Sequence, residues 1–195
     1  IVWLSRSPPS DRIFAGPKLA NYFGMGANGH IDEYVRFVDD STVLVAQVDS
    51  ADAAADALAA ADREVLLENL AELRAATDAS GRPFRVITLP APAFHHYMWT
   101  GPLAEWMTEY DPLDAIYRDF ELGDDIHWVP AMSYMNFFVT NGVVLVAKYW
   151  REGLPERERE KDEEVRAKLQ ELFPDREIVQ IDPLEVNFSG GGMHC

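Results

Sequence analysis

The chain has 195 residues, of which 48% are hydrophobic, and it carries a formal net charge of −16. This size and composition are sufficient for one domain, or most of one, with a buried core. The charge argues against binding to nucleic acid, whose phosphates would be repelled. It is compatible with a cationic substrate, although an ordinary acidic surface would also explain it.

The apolar stretches and the cysteine content restrict the cellular setting. No apolar run approaches the roughly 20 residues that a membrane span requires, so we expect no membrane partner. Cys195 is the single cysteine, which excludes an intrachain disulfide and fits a reducing cytoplasm. The chain starts at Ile1 and not at Met, and we expect it to be a fragment of a longer, cytoplasmic protein.

The first chemically informative stretch is the loop that ends in GHIDE, residues 29–33. Residues 11–28 lack a clear period and predict a loop, and their glycines present His30 better than they match a dinucleotide-binding fingerprint. Residues 31–38 predict an extended strand. Because positions two apart on a strand face the same side, His30 and Asp32 would share one pocket, whereas Glu33 would face away in a structural role.

An internal repeat follows this loop. The segments YVRFV (34–38) and VLVA (43–46) are similar to YMNFF (134–138) and VLVA (144–147), and each pair predicts a β-hairpin. The second has an Asn-Gly dipeptide at 141–142, which favours a type I′ turn. A helix is predicted after each hairpin (residues 53–76 and 156–172), and then a strand (84–89 and 177–181). The sequence therefore predicts two ββαβ units in an α/β protein.

The segment between the two units, residues 91–132, is long and rich in aromatic residues and histidines. Connections of this length without secondary structure are often functional. We expect it to cover one rim of the protein near the site, with short helices at 105–107 and 113–120.

The last six residues, GGGMHC, contain the only thiol of the chain. The three glycines allow a close backbone approach or positive φ, and a lone thiol beside them is a candidate nucleophile. The alternative is that Cys195 is only a small hydrophobic residue in the core. His30 suits the role of acid/base, because histidine is the usual proton carrier of catalytic sites near neutral pH. The carboxylate of Asp32 can accept two N–H groups of a planar guanidinium, although it could also be a turn or capping residue.

Four further residues belong to the candidate site. Asn136 either contacts the substrate or stabilises its turn region, and His194 would tune the electrostatics of the thiol or form part of a wall. Gly191 and Gly192 would shape the approach to the thiol. The histidines show no metal-ligand spacing such as HExxH, so a metal site is not favoured.

The motifs GHIDE, YVRFV, SYMNFFVTNGVVLV, FPDREIVQID and GGGMHC, in this order, resemble the C-terminal half of agmatine deiminases and the related Porphyromonas-type, or bacterial-type, peptidylarginine deiminases. The resemblance implies the five-bladed α/β propeller (pentein) of the guanidino-group-modifying superfamily. Residues 1–195 would form the C-terminal part of a single catalytic propeller domain. The N-terminal blades, with further substrate-binding carboxylates, would lie outside this incomplete fragment.

The same resemblance implies an activity and roles for the site residues. Cys195 would be the nucleophile, His30 the acid/base and Asp32 the ligand of a small cationic guanidine, and no cofactor is implied. The reaction would convert agmatine to N-carbamoylputrescine and ammonia through a covalent thiouronium, on the way to putrescine.

Several alternatives stay open. The same chemistry could act on peptidylarginine or free arginine, or the chain could be a non-catalytic propeller module or an inactive fragment. A cysteine hydrolase that acts on acyl groups is disfavoured because no oxyanion-hole pattern is recognisable. The sequence leaves the oligomeric state open, a homo-oligomer included.

Overall fold

The computed structural model describes residues 2–12, 21–26, 28–104 and 120–195. The strands in these residues are β1 Tyr22–Gly24, β2 Val35–Phe37, β3 Thr42–Gln47, β4 Arg85–Pro90, β5 Trp99–Pro102, β6 Asp125–Val129, β7 Phe138–Thr140, β8 Val143–Ala147 and β9 Glu177–Ile181. The α-helices are α1 Ser50–Ala55, α2 Ala57–Ala75, α3 Glu156–Leu172 and α4 Leu184–Asn187. Short 3₁₀ turns are formed by Pro9–Asp11, Ile31–Glu33 and Phe94–His96.

The two ββαβ units predicted from the repeat are confirmed. In the first, β2 pairs antiparallel with β3, which pairs parallel with β4, and in the second β7, β8 and β9 are arranged in the same way. A parallel pair needs a long crossover, and α2 and α3 provide it. The protein is thus an α/β protein built on a duplicated unit.

The predicted first helix is divided into two at Asp56. Asp49 caps α1 by accepting a hydrogen bond from the backbone N–H of Asp52, and Asp56 caps α2 by accepting one from Ala59. The extended backbone of Asp56 interrupts the helical hydrogen bonding. A side-chain acceptor at a helix N-terminus stabilises it, so the aspartate that breaks the first helix also starts the second.

A third sheet was not predicted from the sequence. It has the order β1-β6-β5, in which β6 pairs parallel with β1 and antiparallel with β5. The segments at 11–28 and 91–132, which we expected to be loops, therefore contribute three strands. The strands are short and have no clear alternation of apolar and polar residues, which hid them from the sequence pattern. The helices expected at 105–107 and 113–120 lie outside the described residues, apart from Phe120.

The two ββαβ units share one hydrophobic core. It contains the buried side chains of β3 and β8 and the inner faces of α2 and α3, including Val43, Leu44, Leu66, Val146 and Leu169. Helix α3 contacts both β9 of its own sheet and β4 of the other. This packing holds the loop before β2 against the segment before β7, and that junction positions the site.

In the described part of the chain, no helix combines the length and the apolar character needed to cross a membrane.

Candidate active site

The thiol of Cys195 lies in a cluster of polar side chains at the junction of the two units. Cys195 is a free, exposed cysteine, and its S–H group donates a hydrogen bond to Asp32 Oδ2 at 2.9 Å. The Sγ atom lies 3.6 Å from Nδ1 of His30. The functional atoms of His30, Asp32 and Cys195, which the sequence singled out for chemistry, therefore lie within 4.8 Å of one another, although Cys195 is 163 positions after Asp32.

The segment that carries His30 and Asp32 is not the extended strand that we predicted. Residues Ile31–Glu33 form a 3₁₀ turn that follows the extended backbone of His30, and the strand starts only at Val35. His30 precedes this turn and is exposed, whereas Glu33 at its end is buried. Asp32 reaches the thiol from the turn itself.

Glu33 is also part of the site, which contradicts the prediction that it faces away. Its side chain is buried, and Oε1 accepts a hydrogen bond of 2.9 Å from Nδ2 of Asn136. Its backbone carbonyl accepts a hydrogen bond of 2.6 Å from Oγ of Ser133. The β-rich sequence that follows GHIDE favoured an extended strand with a period of two, and this period placed Glu33 on the face away from the site.

Asn136 connects the elements of the site. Its side chain is buried, and Nδ2 lies within hydrogen-bond distance of Asp32 Oδ2 (2.9 Å), Glu33 Oε1 (2.9 Å) and Cys195 Sγ (3.2 Å). Its Oδ1 accepts from the backbone N–H groups of His194 (2.7 Å) and Cys195 (3.1 Å). The amide of Asn136 thus orients the side chains of Asp32 and Glu33 and the backbone of Cys195.

The glycines before the thiol are required by close contacts. Gly191 has a φ of +104°, and a Cβ atom there would lie 2.7 Å from Cβ of Cys195. A Cβ atom on Gly192 would lie 2.8 Å from Oδ1 of Asn136. The carbonyl of Gly191 accepts a hydrogen bond of 2.8 Å from Nδ2 of Asn187. Only glycine adopts this backbone and leaves space for the thiol and the amide.

His194 contacts the carboxylate of the site and not the thiol. Its Nδ1 lies 2.7 Å from Asp32 Oδ2, the same oxygen that accepts from Cys195 and Asn136. His194 is exposed, so this contact orients Asp32 from the solvent side.

The carboxylates determine the electrostatics of the thiol. Burial, the hydrogen bond to Asp32 and the neighbouring charge of Glu33 raise the pKa of Cys195 to about 12. Burial and the charges of Asp11 and Asp32 raise the pKa of Glu33 to about 8. Burial alone would raise the pKa of Asp32, but the hydrogen bonds from Cys195 and His194 outweigh it and lower that pKa. At neutral pH the free site therefore holds a protonated thiol beside an ionised Asp32.

Arg36 lies close to the site but is engaged by the backbone. Its Nη1 donates to the carbonyl oxygens of Met135 (3.2 Å) and Phe137 (2.9 Å), and the guanidinium stacks on the Phe137 ring. Burial lowers the pKa of Arg36. Arg36 and Asn136 occupy equivalent positions in the repeat. The side chain of each contacts residues beside or within the other unit.

Behind Glu33 lies a small acidic cavity of about 50 Å³. Asp11, Glu33 and Asp62 line it together with Ser133. Burial raises the pKa of Asp62 to about 7, against the hydrogen bonds from Ser10 that lower it. The site thus has carboxylates on its inner side as well as around the thiol.

The remaining histidines lie away from the thiol. The rings of His95 and His96 are tilted against each other with centroids 4.1 Å apart, and Nδ1 of His127 lies 2.8 Å from Oγ1 of Thr100. Within the described ranges, His30, Asp32 and Cys195 form the only group of three potential metal ligands. As a chemical unit, the cluster offers a nucleophile, an acid/base and anionic anchors for a planar cation.

Known proteins that are similar to this chain include named deiminases. The family model of Porphyromonas-type peptidyl-arginine deiminases matches residues 19–195. An agmatine deiminase of Pseudomonas aeruginosa (strain LESB58) is 30% identical over 168 residues, which cover 86% of this chain and 39% of that protein.

Two solved structures are also similar. That of the agmatine deiminase of Enterococcus faecalis is 25% identical with a TM-score of 0.52, over 87% of this chain and 39% of that one. The agmatine deiminase of C. jejuni, 20% identical, shares the fold with a TM-score of 0.52 over 86% of this chain and 37% of that one. The chain spans about two fifths of the length of these relatives. Because the family model matches nearly the whole of it, the chain belongs to the Porphyromonas-type peptidyl-arginine deiminase family.

Proposed function

We propose that the full-length protein is a deiminase that hydrolyses the guanidinium group of agmatine to N-carbamoylputrescine and ammonia. The observation that carries this proposal is the contact of Cys195 Sγ with Asp32 Oδ2 (2.9 Å) and its 3.6 Å separation from His30 Nδ1. A guanidinium carbon is deactivated by resonance, and its hydrolysis requires a strong nucleophile and firm orientation of the cation.

Binding of the cation is the first step. Asp32 is ionised, and a carboxylate binds a planar guanidinium through two parallel hydrogen bonds. The guanidinium would take the place of the thiol proton beside Asp32 Oδ2, and that proton would pass to His30, whose Nδ1 lies 3.6 Å from the sulfur. Asn136 and His194, which both contact this oxygen, keep the carboxylate in position for that exchange.

The same cation activates the nucleophile. In the free site, burial and the hydrogen bond to Asp32 raise the pKa of Cys195 to about 12, so the thiol is protonated. A guanidinium beside Asp32 offsets the negative charge of this carboxylate and favours the thiolate. The substrate thereby generates the reactive form of the enzyme, and the exposed thiol stays unreactive without it.

The covalent steps use Cys195 and His30. The thiolate attacks the guanidinium carbon and forms a C–S bond, and the tetrahedral adduct then breaks one C–N bond as His30 protonates the departing ammonia. Water attacks the resulting thiouronium and gives a proton to His30, and cleavage of the C–S bond releases the ureido product and the thiolate. One water is consumed and one ammonia is released.

We further propose that the chain is the C-terminal part of a single five-bladed propeller domain. Two ββαβ units share a core, and a third sheet has the same combination of one antiparallel and one parallel pair. Exposed large apolar side chains, such as Trp3 and Trp99, are consistent with further blades that would cover them. Those blades would provide the other contacts to the substrate.

Agmatine is the preferred substrate for two reasons. The similar proteins of P. aeruginosa and E. faecalis are named agmatine deiminases. Agmatine also has no carboxylate, so its site needs no arginine to bind one. The guanidinium of Arg36, which lies near the site, already donates hydrogen bonds to the carbonyls of Met135 and Phe137. The product N-carbamoylputrescine would serve the formation of putrescine.

The test is release of ammonia and of ureido product from agmatine, free arginine and an arginyl peptide by the full-length protein and its Cys195→Ser variant. We expect turnover of agmatine, and a loss of at least about 10³-fold in Cys195→Ser. Acid-quenched wild-type mixtures should contain protein heavier by the amidino adduct, and the variant should not. Preferred turnover of arginine or of the peptide would change the substrate, and no turnover of any guanidine would refute the assignment.

A further inference from the structure

We infer that His30, Asp32 and Cys195 form a binding site for a thiophilic divalent cation such as Zn²⁺, which blocks this site reversibly. The metal would be an inhibitor and not a cofactor. The inhibition rests on the proposed function, whereas the binding does not and can be measured without any turnover.

The donor set matches zinc. Thiolate sulfur, imidazole nitrogen and carboxylate oxygen are the three side-chain donors that Zn²⁺ uses in proteins. In this site one atom of each kind is present, and all three lie within 4.8 Å of one another. Softer sulfur and nitrogen donors disfavour Mg²⁺ and Ca²⁺, which bind oxygen.

The distances also fit a common metal ion. Zn–S bonds of about 2.3 Å and Zn–N bonds of about 2.0 Å at a tetrahedral angle place sulfur and nitrogen about 3.5 Å apart. Cys195 Sγ and His30 Nδ1 are 3.6 Å apart. Asp32 Oδ2 lies only 2.9 Å from the sulfur because the thiol proton joins them. If zinc replaces that proton, the distance between Sγ and Oδ2 must increase by several tenths of an ångström.

The exchange balances in protons and charge. Zn²⁺ forms a bond to sulfur, the S–H bond breaks, and one proton is released to solvent. A carboxylate oxygen of Asp32 and a ring nitrogen of His30 supply the other two electron pairs. The two positive charges of the metal enter an environment that also contains the buried carboxyl group of Glu33. No oxidant or other reactant is needed.

Neighbouring residues support the geometry. His194 Nδ1 and Asn136 Nδ2 both contact Asp32 Oδ2, at 2.7 and 2.9 Å, and hold this carboxylate in place. Such outer contacts orient metal ligands and contribute measurably to affinity. Cys195 and His30 are exposed, so a metal ion has access and a fourth position is open to water.

Blockage follows from the shared atoms. In the proposed reaction, Cys195 must attack carbon, His30 must transfer protons and Asp32 must bind the guanidinium. A metal bound to all three removes each of these functions at once. Guanidine substrate and zinc should therefore compete, and a chelator should restore the free site.

The experiment titrates the full-length protein with Zn²⁺ alone, in competition with a zinc-sensitive dye, and repeats the titration with Co²⁺ to detect thiolate-to-metal absorption. Wild type should bind one equivalent. We expect affinity to fall by at least about 100-fold in Cys195→Ser and by at least about 10-fold in His30→Ala. His96→Ala, which removes an imidazole from the pair outside the cluster, should change affinity less than about twofold.

Two results would overturn the inference. One is zinc binding of equal affinity in wild type and Cys195→Ser, and the other is the absence of cobalt–thiolate absorption in a wild type that binds the metal. Turnover of agmatine that is insensitive to stoichiometric zinc would refute the inhibition while leaving the proposed function standing. Zinc binding with the predicted variant profile in a protein that turns over no guanidine would refute the proposed function alone.

Discussion

Asp32 Oδ2 is the atom at which the site's contacts converge. It accepts from the thiol of Cys195, from Nδ2 of Asn136 and from the ring of His194. Three donors on one oxygen fix the carboxylate in a single orientation and keep it ionised. Because one of these donors is the S–H group, the nucleophile rests as a protonated thiol. We expect an arriving cation to convert this thiol to the thiolate.

Asn136→Ala is the first prediction at the scale of single residues. The substitution removes the amide that orients Asp32, Glu33 and the backbone of Cys195, so we expect kcat/KM for agmatine to fall by about 10²-fold or more. The lost hydrogen bonds should also lower the free energy of unfolding by about 1–3 kcal/mol. Steady-state kinetics and urea denaturation measure the two effects.

Asn69→Ala is the matched control for Asn136→Ala. Asn69 is equally buried and donates a hydrogen bond to the carbonyl of Arg6, far from the thiol along the chain. The Asn69→Ala variant should have a lower free energy of unfolding and an unchanged kcat/KM. Equal kinetic losses in both variants would show that the amide of Asn136 has only a structural role.

The glycine-rich segment before Cys195 provides a prediction at the scale of elements. Gly191→Ala would place a methyl group 2.7 Å from Cβ of Cys195, on a backbone with a φ of +104°. The thiol must then move, and a displacement of about 1 Å can cost about 10²-fold in rate. We expect this loss in kcat, together with slower labelling of Cys195 by a thiol reagent.

Gly142→Ala is the control for backbone strain alone. Gly142 has a φ of +80° in the turn between β7 and β8, and a Cβ atom there would meet nothing within 4 Å. We expect a loss of about 1 kcal/mol in the free energy of unfolding and unchanged kcat. If Gly191→Ala behaves in the same way, the proposed steric role of Gly191 is wrong.

A buried ion pair connects helix α1 of the first unit to α3 of the second. Lys161 is fully buried, and its Nζ contacts carboxylates of Asp52 and Glu158, the latter at 2.8 Å. Glu158 in turn accepts a hydrogen bond from the backbone of Ala93. These contacts hold the two helices in one relative position, and with them the junction at which the site lies.

Lys161→Met should therefore destabilise the protein by about 3–5 kcal/mol, because two carboxylates lose their buried partner. Lys168→Met removes an exposed pair with Glu171 and should cost less than about 1 kcal/mol. Chemical denaturation of both variants measures the difference. A loss of similar size in the two would mean that the buried pair contributes no more than a surface pair.

At the scale of the whole molecule, the junction of the units buries acids whose pKa values are raised. Burial raises the pKa of Glu33 from 4.5 to about 8 and that of Asp62 from 3.8 to about 7. Each folded-state carboxyl group keeps its proton at pH values where the unfolded chain has released it. Stability from these groups is present at acidic pH and is lost as pH rises through the folded-state pKa.

We therefore expect the free energy of unfolding to fall by at least about 1 kcal/mol between pH 5 and pH 8. Asp62→Asn, which retains an acceptor for the backbone N–H of Ser10, should flatten this decrease. Urea denaturation at intervals of one pH unit measures both curves. A wild type whose stability rises over this range would contradict the ionisation states assigned to Glu33 and Asp62.

Much of this protein was determined by sequence patterns that are local. The continuous apolar runs of β3 and β8, the helical period in α3 and the turn at 141–142 depend on neighbours within a few positions. They predicted the two ββαβ units and the bounds of α3 and β9 closely. The thiol, the histidine and Asp32 were recognised because their residue types and motifs are specific to the family.

Tertiary structure decided the features that depend on contacts between distant segments. Asn136 touches Asp32 and Glu33 across 104 and 103 positions, and no local pattern encodes such a bridge. The direction of Glu33 followed from a 3₁₀ turn, which the polar run before a strand did not distinguish from extended chain. The third sheet joins strands about a hundred residues apart, since short strands of weak pattern form only when a distant partner supplies their hydrogen bonds.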